Sequence, residues 1–463
     1  LSVPEDFELA RKIYDTIYDK VISLGGSTTG EHGDGRIRSG LLKKLYGDDI
    51  FNIFREIKDT LDPDITFSSD SGLDVIDFTE NIDYKKLESY CAACGKCNGY
   101  CPAYDIFRRE DFSPRGWLRI LNHSKKSNLS NKEIDKYLTF CLNCKNCATV
   151  CPAGVDIAGE ILKHRSDSPS TIAKTVAAFS DNKTLLNLSL KTGDVFRPLM
   201  KRLDNIPEPA PKNLHQRFKK RISDTGEVAF FHGCADNLFK SNVGEAVFKV
   251  FDFLGIDIAI PEQKCCGLPY EIYGLRDNLI KKAKYNIDHL NKFNAVITGC
   301  ASCLHKVTEY KNLFEKDSEY YSKAEELAGK CFDISQYLNS LDIDYSSFAT
   351  DSITKVTYHN PCHLRASGLS KQPYKFLEKI GGIKIIDPKY GDSCCGQAGS
   401  YGYIHPDESK QIFSKKKKDY DEIGAEYIVS SCPSCLMKIR SEMGDKFKVV
   451  HPIELFAARL TKS

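Results

Sequence analysis

Cysteines set the chemistry of this chain. Nineteen occur among 463 residues, and their spacing is too regular for core packing. The segment CAACGKCNGYCP places Cys91, Cys94, Cys97 and Cys101 ahead of Pro102, and CLNCKNCATVCP places Cys141, Cys144, Cys147 and Cys151 ahead of Pro152. Three thiolates spaced in this way curl round one iron–sulfur cube, while the fourth, carried out of the turn by the proline, is placed to ligate a neighbouring cube. The expected sets are Cys91, Cys94, Cys97 and Cys151 on one [4Fe–4S] cluster and Cys141, Cys144, Cys147 and Cys101 on the other. Zinc is content with C-x-x-C pairs and has no use for a third cysteine and a C-P ending. A disulfide framework belongs to small secreted domains, not to a long chain with 41% hydrophobic residues.

The other cysteines form an internal repeat. FFHGCADN holds Cys234, KCCGLPY holds Cys265 and Cys266, and TGCASC holds Cys300 and Cys303; then YHNPCHLRASG holds Cys362, SCCGQAGSYG holds Cys394 and Cys395, and SSCPSC holds Cys432 and Cys435. The order is single, double, C-x-x-C in both copies. Apolar runs rich in β-branched and aromatic residues lead into these cysteines at residues 228–231, 295–298, 356–358 and 427–429, and helical periods at 243–254 and 275–293 lie between them. Strands alternating with helices predict parallel α/β units, whose ligands sit at the carboxyl ends of the strands. Cys331 stands outside every pattern and reads as a structural residue.

The eight-cysteine stretch is similar to the bacterial ferredoxin run. The repeated pattern resembles the cysteine-rich CCG domains shared by the catalytic subunit of heterodisulfide reductase and the iron–sulfur subunits of glycolate and lactate dehydrogenases, over about half the chain. In the heterodisulfide reductase family the complete five-cysteine set binds a noncubane iron–sulfur cluster that cleaves disulfides, and both copies here keep all five. The resemblance therefore implies one or two further clusters, with Cys234, Cys265, Cys266, Cys300 and Cys303 on one and Cys362, Cys394, Cys395, Cys432 and Cys435 on the other. The alternative is that one copy is only a scaffold.

A different chemistry opens the chain. After a helical period from Asp6 to Val21, GGSTTGEHGDGRIRSGLL supplies a glycine-dense turn with Glu31, His32, Asp34, Arg36 and Arg38; a second helical stretch covers 48–60. This segment resembles the C-terminal end of FAD-linked oxidases of the vanillyl-alcohol oxidase type, which oxidise D-2-hydroxyacids. The resemblance implies Glu31 as a ligand of a divalent metal and His32 as the base that takes the substrate's hydroxyl proton. On the local sequence alone the pair reads as a solvated turn. GEHGDG lacks the preceding strand and following helix of a nucleotide loop. Where relatives commonly read DPxGxLNPGK, this chain has DPDITFSSDSG. The flavin domain is expected either upstream in the same polypeptide or as a separate subunit.

The fold class expected is multidomain α/β: an end of the FAD-linked oxidase domain at 1–75, an α-helical ferredoxin-like module with two [4Fe–4S] sites at 76–165, a proline-broken linker at 166–226, and two α/β CCG repeats at 227–345 and 346–463. Pro207, Pro209 and Pro211 favour an extended spacer. A net charge of +2, from 65 basic and 63 acidic residues, invites neither nucleic acid nor an anionic membrane. Lys415 to Lys418 beside Asp419 and Asp421 read as a solvated face. No apolar stretch reaches a membrane span and no signal peptide is visible, so the expected location is cytoplasmic, with membrane contact peripheral at most. The expected partners are a flavin-binding domain or subunit, a 2-hydroxyacid, and a quinone, redox protein or disulfide as acceptor. A zinc protein built on the same cysteines is the non-enzymatic alternative.

Overall fold

The computed structural model describes residues 4–30, 33–34, 38–63, 91–124, 129–167, 169, 212–239, 241–348 and 352–460. Glu31, His32, Arg36 and the proline-rich stretch at 207–211 lie outside them. The chain divides into two units, Leu1–Tyr90 and Cys91–Ser463.

The first unit is helical. Helices Pro4–Ser23 and Leu42–Leu61 cover both helical periods of the sequence, and Gly47, at φ 81°, kinks the second one between its first turn and the expected stretch. Between the helices, Arg38 holds the glycine-dense turn by donating to the carbonyls of Thr28 (3.2 Å) and Gly33 (2.7 Å), and the buried Thr28 hydroxyl donates to Asp34 (2.7 Å).

In the second unit the cysteine runs sit among short helices: Pro102–Phe107, Pro114–Ser124, Asn131–Leu138, Asn146–Thr149 and Ile157–Asp167. Pro102 occupies the first helical position after Cys101, where its missing N–H is no loss. Trp117, Leu118, Ile134, Leu138 and Ile161 form the apolar floor of this module, and Cys97 and Cys101 belong to the same cluster.

Two four-stranded parallel sheets follow. The first has the order β2-β1-β3-β4, with β1 Val228–Phe230, β2 Ile258–Ala259, β3 Ala295–Thr298 and β4 Cys331–Asp333; the second repeats it as β6-β5-β7-β8, with β5 Thr354–Tyr358, β6 Ile383–Ile385, β7 Tyr427–Val429 and β8 Lys448–Val450. In each the first strand is central and the chain winds out both ways, which puts a topological switch point between β1 and β3 and between β5 and β7. Residues 213–224, assigned to the linker by sequence, pack on the first sheet: Ile222 bridges Ile260, and the Ile260 N–H donates to the Arg221 carbonyl at 2.7 Å.

The repeats are fused through two shared apolar layers. One joins Phe231, Leu279 and Leu304 to Leu364, Phe413 and Leu436; the other joins Val228, Val247 and Phe251 to Val356, Phe376 and Phe456. Cys331 is buried in β4 opposite Val296, and burial alone pushes its thiol up to about 12.

Candidate metal centre

Each cysteine run is bent by left-handed residues at matching places. Ala93 and Gly95 in the first, and Asn143 and Lys145 in the second, all have φ between 50° and 76°. Such residues cost about 1–2 kcal/mol each unless they are glycine, so Ala93, Asn143 and Lys145 hold strain at the thiol turns. Surrounding side chains pin them. Arg115 donates to the Ala93 carbonyl at 2.7 Å while paired with Glu110, and Lys145 pairs with Asp156 at 2.6 Å. The Asn143 carbonyl accepts from His363 Nε2 (2.9 Å); Nδ1 of that ring is then the acceptor for the Ser302 hydroxyl (2.8 Å). Arg365 reaches Asn146 Oδ1 at 2.7 Å, so the second repeat braces the second run.

In each case the last thiol of one run lies near thiols of the other. Cys97 is neighbour to Cys91 and Cys151, whereas Cys101 is neighbour to Cys141 and Cys147. Burial raises Cys97, Cys101 and Cys141, and lifts Cys147 to about 12. Cys94 is exposed. A cavity of about 220 Å³ opens beside Cys141, Leu142, Asn143, Arg165 and Tyr401. Cys144 also has neighbours outside its run: its thiol meets Cys394 and lies close to Cys362, in the second repeat.

All ten repeat cysteines gather at the carboxyl ends of their strands. In the first repeat Cys234 meets Cys265, Cys266 meets Cys303, and Cys300 lies against Cys303; in the second Cys362 meets Cys394, Cys395 lies 3.4 Å from Cys435, and Cys432 meets Cys435. The two sets touch where Cys300 meets Cys432. Beside that junction, Ala301 N–H donates to the Ser431 carbonyl at 3.0 Å and the rings of His305 and His363 stack at 5.1 Å. Glycine clears the space for sulfur, since a Cβ on Gly233 would stand 2.8 Å from the Cys303 sulfur.

The donor chemistry fits a soft, thiophilic metal group. Contact with neighbouring thiols pushes Cys144, Cys234, Cys303 and Cys435 well above the ordinary thiol range, and burial adds to this at Cys144, Cys303 and Cys435. Cys265, Cys394 and Cys432 accept hydrogen bonds from those neighbours and are held low. So many buried sulfurs cannot all ionise without a cation among them. Sequence reasoning missed Arg115, Ser302, His359 and His363, which carry no spacing signal of their own. His359 is buried beside Cys395 and Cys435.

Comparison with known proteins agrees with this architecture. Residues 228–308 and 356–440 match the cysteine-rich domain family (CCG), residues 88–155 the 4Fe-4S dicluster domain, and residues 1–69 the C-terminal domain of FAD linked oxidases. The class is therefore an iron–sulfur oxidoreductase that joins an oxidase segment to a dicluster module and a repeated CCG domain. The chain belongs to the family of lactate utilization protein A: it is 30% identical to that protein of Bacillus subtilis (strain 168) over 239 residues, 50% of this chain and all of the relative. It is also similar to the glycolate oxidase iron-sulfur subunit of Escherichia coli (strain K12), 25% identical over 388 residues, covering 80% of this chain and 94% of that one. Lactate utilization protein A of Geobacillus sp. (strain WCH70) is 28% identical over 242 residues, 50% of this chain and 100% of that protein. Among the described residues no helix is long and apolar enough to cross a membrane.

Proposed function

We propose that this chain is the iron–sulfur electron-transfer part of an FAD-dependent D-2-hydroxyacid dehydrogenase, passing electrons from flavin through two [4Fe–4S] clusters to the CCG repeats and on to a quinone or protein acceptor. One observation carries the reading. Thiols run in contact from Cys144, in the second cysteine run, through Cys394, Cys395, Cys435 and Cys432 to Cys300, Cys303, Cys266 and Cys265, ending at the exposed Cys234. When bound along that row, iron–sulfur clusters would supply one-electron sites close enough together for transfer. The protein's share is to hold the sulfurs, keep water from the inner sites and leave one end open.

The expected ligand sets are those of the cysteine runs and repeats, with Cys144 standing between the second cube and the second repeat. The test is anaerobic iron and sulfide determination with EPR of the reduced protein. About eight irons would confine clusters to the two runs; a higher count supports clusters in the repeats. Rapid mixing with the reduced flavoprotein should then bleach the clusters, and failure to accept those electrons would end the proposal.

Flavin is proposed to reside in a partner domain or subunit, with Glu31 as a ligand of a divalent metal and His32 as the base facing the hydroxyacid. A 2-hydroxyacid loses its hydroxyl proton as hydride leaves the same carbon, and an imidazole titrating near neutrality suits that proton. With the flavoprotein present, His32→Ala should slow flavin reduction by roughly 100-fold or more and leave iron content unchanged. Flavin reduction at the parent rate would return His32 to a solvated turn.

A second reading, reduction of a disulfide at the repeats, is favoured by the complete five-thiol sets and by the exposure of Cys234. It predicts that the reduced protein consumes a low-molecular-weight disulfide and that Cys265→Ser abolishes this. Rapid reduction of a quinone analogue, with every disulfide refused, would leave the relay reading standing.

A further inference from the structure

The repeats differ at one place where their sulfur sets are otherwise matched. Three residues before the first cysteine of each copy stands Phe231 in one and His359 in the other. The backbone makes the correspondence exact in structure as well as in count: Phe231 N–H donates to the Ile297 carbonyl in β3, and His359 N–H to the Val429 carbonyl in β7, each at 2.8 Å. Both side chains are buried, at 1% exposure. Phe231 shares an apolar cluster with Cys266 and Cys303, and a phenyl ring asks nothing of them.

His359 in the same position does ask. Neither ring nitrogen has a hydrogen-bond partner, and a buried imidazole left in that state forfeits the bonds it makes in water. One of its nitrogens lies with the sulfurs of Cys395 and Cys435 so that all three donor atoms are within 4.8 Å of one another, around a common centre. A neutral imidazole has a lone pair to give there.

We propose that His359 is a nitrogen ligand of the metal group held by Cys395 and Cys435, so that the second repeat binds through mixed sulfur and nitrogen donors and the first through sulfur alone. The inference rests on the reading that the repeats bind iron–sulfur clusters, and goes beyond it by making the two sites unequal. Replacing thiolate by imidazole raises a cluster's reduction potential, as in Rieske centres. The site nearer the second cysteine run is then the more easily reduced of the two.

The test uses the full chain with its clusters, prepared anaerobically with ¹⁵N-histidine and separately with natural-abundance histidine, and examined by pulsed EPR across a redox titration. A nitrogen coupling that changes with the isotope is expected in one centre of the repeats. It should vanish in His359→Phe, which copies the first repeat, and the midpoint potential of that centre should fall while iron content stays at the parent value. Iron in the repeats without an isotope-sensitive coupling, or a coupling that survives in His359→Phe, would overturn this ligand while leaving the electron-transfer reading intact. An iron count of about eight would overturn this ligand together with the reading that the repeats hold clusters, and would confine electron transfer to the two runs. Should His359→Phe fail to fold, the isotope pair on the parent chain and His359→Gln decide the question.

Discussion

At the scale of single residues, the proposed exchange of last ligands between the two cysteine runs has a direct consequence. Cys101 lies with Cys141 and Cys147 rather than with its own run, so Cys101→Ser should disturb the second cube, with a loss of up to about four irons, and leave the signal of the Cys91, Cys94, Cys97 and Cys151 site in place. EPR in which only the first site changes would contradict the pairing. Asp333 makes a different point, about stability. It caps the helix Ile334–Ser340 by accepting from Ser335 N–H at 2.8 Å, and burial raises it from 3.8 to about 6. Between those values the folded chain holds a proton that the unfolded chain has released, so stability falls as pH rises from about 4 to about 6 and is level above. The loss amounts to up to about 3 kcal/mol. Asp333→Asn keeps the capping acceptor and should remove that slope, leaving the variant more stable than the parent at pH 7; urea unfolding at several pH values checks it.

Among the elements, the strands that end in cysteine were legible because they are β-branched or aromatic runs bounded by a turn, and β3 and β7 match the sequence reading residue for residue. The outer strands were not. β2 is two residues long, and β4, β6 and β8 each include a charged residue (Asp333, Lys384 and Lys448), so no unbroken apolar run marks them. The contact of Cys144 with Cys394 was not legible either: Cys394 lies far along the chain, and spacing within a run carries no information about a neighbour from another element. The glycine after each cysteine pair was visible, but only the fold explains it. Gly267 and Gly396 have φ of 89° and 83°, and a Cβ on Gly396 would stand 2.8 Å from the Ser409 carbonyl oxygen. Gly396→Ala therefore combines left-handed strain with a backbone clash. It should destabilise the chain by at least about 1–2 kcal/mol in denaturant titration, and an unshifted midpoint would refute the account.

For the molecule as a whole, the first unit displays what the second conceals. Leu9, Ile13 and Ile17 on one helix and Ile50, Ile53, Ile57 and Leu61 on the other are exposed at helical spacing, Leu61 by 78%. Two such stripes suit a protein partner, and the flavoprotein proposed above is the candidate. The double variant Ile53→Lys, Ile57→Lys should abolish co-purification with that flavoprotein while iron content stays at the parent value; retained binding would place the docking face elsewhere. The second unit carries its own hazard, set by the sulfur row that fuses the repeats. Sulfurs such as those of Cys395 and Cys435, 3.4 Å apart, are poised for cross-linking whenever no metal separates them, and Cys265, Cys394 and Cys432, held low, supply the nucleophile. Maturation is thus a race: iron and sulfide must reach the newly made chain before oxygen does, and a protein once stripped in air needs a reductant before it can be refilled.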